Sequence, residues 1–318
     1  QMSQSADGCF LLMAATAHDQ CCVITEVKAE GAGPWRSIKL ALPATVRTLC
    51  HFSTGSNAVL GLDNGVCALV KRDAAGNWVC QRLPLAAEPI DAPIKAVACS
   101  ADGSLIAVAQ GENCFILERQ HGVFNRVVNV IPCDNDVMAL CFHPREPQLV
   151  CAIEGGHVVI WEWHKGKPVS DAADSGDLTW EVKQRFCLYS ADYLFSVAIS
   201  ADGCWLAVGA SDTCCYLFCL RAGASELDQV LSGHAGAVKE LEFRPDAREL
   251  ITVSRDGARV WNIDSVDSIW RKTSVVARGE LRTCCYPPDG SRLFCAEAAD
   301  GRLSMMQRYH NPAHQLTA

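Results

Sequence analysis

Apolar residues recur in short alternating runs of five or six positions along the whole chain, and tight-turn residues separate the runs. The clearest stretch extends from Val238 to Asn262. It holds one apolar alternating run, a Pro-Asp turn, a second run ending at Ser254, a turn acid at Asp256 and a third run through Trp261. Comparable units begin at Val46, Ile94, Val137, Leu194 and Leu281, and a truncated one begins at the amino terminus. Alternation of this length predicts β-strands. No long 3.6-residue periodicity is present, so little helix is expected.

The turn acid, or its stand-in, falls at Asp19, Asp63, Glu112, Glu154, Asp212, Asp256 and Asp300, with gaps of 44, 49, 42, 58, 44 and 44 residues. A period of about 40–45 residues with several strands per unit marks radially stacked four-stranded sheets, each unable to bury both faces alone. The expectation is an all-β chain forming one β-propeller over residues 1–318, with seven four-stranded antiparallel blades. Fourth strands are expected near Trp35–Leu42, Trp78–Leu85, Val123–Ile131, Leu227–Leu231 and Ile269–Val276. The 58-residue gap points to an insertion at 164–177 in the fourth blade, rich in Lys, Pro, Ser, Asp and Gly and therefore a solvated loop. Residues 1–4 align with a first strand, so the outer strand of blade seven has to come from the tail Arg308–Ala318, from chain outside this sequence, or from a partner.

The unit around Asp256 resembles the WD40-repeat family. Gly233-His234 precede the first strand, Ser254 ends the second, Asp256 occupies the turn and Trp261 sits in the third. The resemblance implies a buried hydrogen-bond chain through His234, Ser254, Asp256 and Trp261. Such a network is structural, and a carboxylate buried without its partner would be costly. A catalytic triad of Ser254, His234 and Asp256 is rejected, because no Gly-x-Ser-x-Gly nucleophile turn accompanies it. The other units are degenerate: the fourth keeps Trp161 but has Glu154-Gly155-Gly156 at its turn, and the first, fifth and seventh lack the Trp.

Immediately after the leading apolar residue of six first strands stand Arg47, Lys95, Met138, Phe195, Lys239 and Arg282. This position enters the innermost strand at one rim of the central channel. In the family that the chain resembles, this rim is the habitual partner-binding surface. Four of the six are basic in a chain of net charge −8. That contrast suggests a locally positive mouth for an acidic peptide or phosphate, with Asp136 and Glu280 close enough in sequence to temper it.

Composition excludes several classes. The most apolar stretch near the start, Phe10 to Ala17, is eight residues, far short of the roughly 20 that a spanning helix needs. Nineteen cysteines invite a metal or disulfide reading, yet no Cys-x-x-Cys occurs and no His pair has finger spacing. Most cysteines occupy strand positions, such as Cys99, Cys141, Cys285, Cys214 and Cys215, where a free thiol behaves as a small hydrophobe. With no Asn-x-Ser/Thr sequon, unpaired thiols favour a cytosolic or nuclear compartment. The pI near 5.6 and the lack of a basic run disfavour nucleic acid. No cofactor and no metal site is expected. The leading expectation is a non-catalytic scaffold subunit that binds other proteins of an intracellular complex. The alternatives are a reader of a phosphate-bearing ligand, RNA or phosphopeptide, through the basic rim, and a propeller enzyme such as a lactonase-like hydrolase. For the last, no converging polar set can be assembled from the aligned positions.

Overall fold

The computed structural model describes residues 2–5, 7–14, 21–26, 36–53, 56–85, 92–165, 178–220, 225–263, 272–278, 281–297 and 303–307. These residues form six four-stranded antiparallel sheets and a seventh sheet with three described strands, each sheet a meander in chain order. No helix is long and apolar enough to cross a membrane among them.

The second strands show why alternation fades inside each unit. Leu105–Gln110, Gln148–Ile153 and Trp205–Ala210 are buried at every position, because both sheet faces are covered by neighbouring blades. Each interface has its own apolar cluster. Ala107 and Ile116 of the third sheet meet Leu140 and Cys151 of the fourth, and Ile251 and Val253 of the sixth meet Cys284 and Leu293 of the seventh. Met2 and Leu11 of the first sheet pack with Cys285 and Phe294 of the last, so packing runs from the last sheet to the first.

First strands begin where the pattern places them at Val46–His51, Ile94–Cys99, Val137–Phe142, Leu194–Ile199 and Leu281–Cys285. Blade six differs: its first strand is Glu240–Phe243. The Val238 N–H is committed to the Ala210 carbonyl of blade five, at 3.0 Å. The third strand of blade four continues through His164 and Lys165 and its fourth begins at Leu178. The insertion expected at 164–177 therefore loses its first two residues to the strand, and 166–177 lie outside the described residues, as do Asp19, Asp300 and the tail 308–318.

One recurring device locks the turn between first and second strands. Ser-Ala-Asp-Gly stands at 5–8, 100–103 and 200–203. In the second copy Ser100 Oγ donates to Asp102 Oδ1 at 2.6 Å and accepts from the Leu105 N–H at 2.9 Å. Ser5 makes the same pair of bonds with Asp7 and Phe10, and Ser200 with Asp202 and Trp205.

Candidate functional site

The blade-six network forms around a different hydroxyl from the one its sequence suggests. The Trp261 indole N–H donates to Thr252 Oγ1 at 2.9 Å, and Thr252 Oγ1 lies 2.8 Å from His234 Nε2. His234 Nδ1 lies 2.7 Å from Asp256 Oδ1, and Arg259 Nη2 donates to Asp256 Oδ2 at 2.7 Å. The Trp261, Thr252 and His234 donors are satisfied together when the Thr252 hydroxyl donates to Nε2 and Nδ1–H donates to the carboxylate, a tautomer assigned by closing the network. Burial opposes ionisation of Asp256, but the bonds from His234 and Arg259 prevail and hold its carboxyl well below the usual range.

Ser254 is the correction. Its hydroxyl is buried and has no partner among the described residues. Register explains this: Trp261 pairs with Leu250, so Thr252 is two residues from that pair and Ser254 four. At about 3.3 Å per residue, Ser254 is some 13 Å along the strand, beyond an indole N–H. Both residues occupy the same sheet face, so alternation alone did not separate them. Arg259, which closes the chain on Asp256, also escaped the sequence reading.

The rim residues are less uniformly basic than their alignment suggests. Arg47 Nη1 pairs with Asp63 Oδ1 at 3.1 Å, and Lys95 pairs with Asp136 while its Nζ lies 3.4 Å from Met138 Sδ. The acids come from a turn and a loop that emerge on the same face as the rim; Asp136 is the neighbour expected to temper the charge, whereas the pairing of the turn acid Asp63 with Arg47 was not expected. Lys239 is exposed; the Arg282 side chain lies outside the described residues.

Around Phe195 the rim turns aromatic. Phe195 stacks on Tyr193 with centroids 6.1 Å apart and planes at 16°, and Tyr189 is 96% exposed. The loop 188–193 that carries these tyrosines is tied to both neighbouring turns. Leu188 N–H donates to the Gly156 carbonyl at 2.8 Å, Gly155 N–H to Asp192 at 2.8 Å and Ser211 N–H to Tyr193 at 2.9 Å. Ser190 Oγ bonds to the Tyr216 hydroxyl, which donates to Asp212. Gly156 makes the approach possible: its φ is 77°, and a Cβ there would stand 2.4 Å from the Ala191 carbonyl oxygen and 2.6 Å from that of Leu188. The degenerate turn of blade four thus holds the backbone of the loop that carries Tyr189 and Tyr193.

Two acids sit on the innermost strand of blade six. Glu240 pairs across the sheet with Val253, and Glu242 with Ile251, on the face that packs toward blade seven. Glu242 accepts from the Tyr286 N–H at 3.4 Å, and burial pushes its carboxyl up to about 8 against that bond. Among the described residues no group of three His, Cys, Asp or Glu is placed to hold a metal ion, and all nineteen cysteines are free.

Comparison with known proteins adds a family. The model of a β-propeller family described as Nucleolar protein 10-like, N-terminal domain, matches residues 93–305. The chain is similar to the Protein LST8 homolog of Drosophila melanogaster, 25% identical over 152 residues covering 46% of this chain and 44% of that protein. It is similar to SEC12-like protein 1 of Arabidopsis thaliana, 28% identical over 180 residues, 55% of this chain and 42% of that protein. A third similarity is to the Chromatin assembly factor 1 subunit FAS2 homolog of Oryza sativa subsp. japonica, 24% identical over 168 residues, 50% of this chain and 31% of that protein. These relatives are WD40-repeat proteins, and the chain spans less than half the length of each.

Proposed function

The chain belongs to the Nucleolar protein 10-like N-terminal propeller family of WD40-repeat proteins, and from that premise we propose that it is a non-catalytic interaction platform within a larger assembly, built as a seven-bladed ring. The observation that carries this reading is the aromatic surface of Tyr189, Tyr193 and Phe195. A loop whose backbone is bonded at both sides loses little backbone freedom on binding, and it presents the exposed Tyr189 and Tyr193 as interface anchors. In blade six, by contrast, His234, Thr252, Asp256, Arg259 and Trp261 are engaged in each other's hydrogen bonds.

An assembly role fits the rice relative, which is by name a subunit of chromatin assembly factor 1. The family description and the free thiols favour the nucleus or the cytoplasm. Because Arg47 and Lys95 already have acidic partners, an apolar and aromatic contact is favoured over recognition of a phosphate at this rim. The test is capture of partners from native extract by the wild type and by Tyr189→Ala/Tyr193→Ala, with quantitative mass spectrometry. The double variant is expected to keep the wild-type unfolding midpoint and to lose at least one partner. An unchanged set of partners at unchanged abundance would overturn the reading.

A further inference from the structure

The opposite end of the molecule carries a second set of unused side chains. In a meander sheet the turn between first and second strands and the turn between third and fourth emerge together, away from the rim. There, blades two and three leave a notch of about 70 Å³ between them. Its floor is formed by Phe52 and Phe124, stacked with centroids 5.8 Å apart and planes at 28°. Asn57, Lys71, Gln81 and Arg119 line it, and none of these four side chains has a hydrogen bond or ion pair with another described residue.

Three features define what fits. Lys71 and Arg119 face one notch without an acid, in a chain whose 36 acidic residues outnumber its 28 lysines and arginines; elsewhere Arg47, Lys95, Arg185, Arg244 and Arg259 all have carboxylate partners. Two cations that line one notch with no acid among its lining residues favour an anion there. The size excludes a drug-sized ligand, since such pockets run to about 300–1,000 Å³, whereas the tip of a side chain fits. The amides of Asn57 and Gln81 each offer a donor and an acceptor, the pair that an extended peptide backbone requires.

We propose that the notch between blades two and three docks a short acidic segment of a protein partner. A Glu or Asp carboxylate sits between Lys71 and Arg119, a neighbouring apolar side chain lies on Phe52 and Phe124, and the peptide backbone bonds to Asn57 and Gln81. The site is independent of the aromatic rim, and it gives the molecule one docking surface on each face.

The test uses the purified full chain and fluorescence anisotropy with a labelled Gly-Glu-Phe-Glu-Gly peptide, its Gln-for-Glu counterpart and its Ala-for-Phe counterpart. Saturable binding of the Glu peptide is expected, at least about tenfold tighter than the Gln peptide and weakened by added salt. Lys71→Glu/Arg119→Glu is expected to weaken it by at least about tenfold, while Tyr189→Ala/Tyr193→Ala leaves it unchanged; the latter arm separates this site from the rim. Should the charge-reversed chain unfold early in urea, Lys71→Gln/Arg119→Gln carries the same comparison. Equal binding of Glu and Gln peptides, equal binding by wild type and charge variants, or no saturation up to millimolar peptide would each overturn the proposal. So would equal binding of the Phe and Ala peptides together with competition by inorganic phosphate, which would make the notch a site for a bare anion.

Discussion

Replacing Thr252 by Val removes one hydroxyl at nearly constant volume and tests whether the blade-six network is organised as the geometry shows. The hydroxyl bonds to the Trp261 indole at 2.9 Å and to His234 Nε2 at 2.8 Å, and all three side chains are buried. Without it, an N–H donor and a ring nitrogen are left without partners. Each such orphan costs about 1–3 kcal/mol, and Val spares the cavity term, so Thr252→Val is expected to lose about 2–4 kcal/mol. Ser254→Ala is the internal control. Its hydroxyl is buried without a partner, so its removal should be neutral within about 0.5 kcal/mol or slightly stabilising. Urea unfolding followed by tryptophan fluorescence, with unchanged m-values, gives both numbers. A cycle with Trp261→Phe, which deletes the orphaned donor, should recover about 1 kcal/mol or more of the Thr252→Val loss as coupling. Equal losses for the two single variants, or no loss for Thr252→Val, would refute the assigned chain.

Two further outcomes follow from blades four and six. Glu242 has its carboxyl raised to about 8, foremost by burial, so the folded state holds that proton more tightly than the unfolded chain. Its contribution is complete below the unfolded value of about 4.5 and is lost as pH rises through about 8. Chemical unfolding between pH 5 and 8 should therefore show stability falling by up to a few kcal/mol, an upper bound because the side chain is partly exposed, and Glu242→Gln should flatten that slope; an identical slope in the variant would contradict it. Gly156→Ala combines a left-handed backbone with a Cβ 2.4 Å from a carbonyl oxygen, whereas a Cβ on Gly155 would meet nothing nearer than His157 Cδ2 at 3.5 Å. The first substitution should cost at least about 2 kcal/mol more than the second and detach the 188–193 loop, read by urea midpoint and by amide exchange at Ala191; equal costs would contradict the close approach.

Strand starts at Val46, Ile94, Val137, Leu194 and Leu281 were legible because each opens on an apolar residue a fixed distance before a turn. The Ser-Ala-Asp-Gly repeats stand in the sequence too, but only their shared hydrogen bonds show that they lock a turn. Residue choice inside the network was not legible, because Thr252 and Ser254 share a face and only the strand register selects between them. Nothing in the sequence singled out Glu240 and Glu242, because a blade covers both faces of its sheet and only the packing places them against blade seven. The tempering of the basic rim was legible in part: Asp136, next to the aligned position of blade four, pairs with Lys95 of blade three, whereas Asp63 reaches Arg47 from a turn that no alignment of first strands includes. The aromatic loop depends on contacts among Gly156, Leu188, Asp192 and Ser211, which are distant in sequence.

A protein partner is expected to sit on the rim of blades four and five. Site-specific photo-crosslinking in the native assembly tests this directly, with the crosslinker replacing Tyr189 in one chain and Val130 or Val182, exposed residues of outer strands, in others. Crosslinks to a protein partner from position 189, and few or none from 130 and 182, are the predicted result. Crosslinks that arise from the outer strands while position 189 stays silent would contradict it.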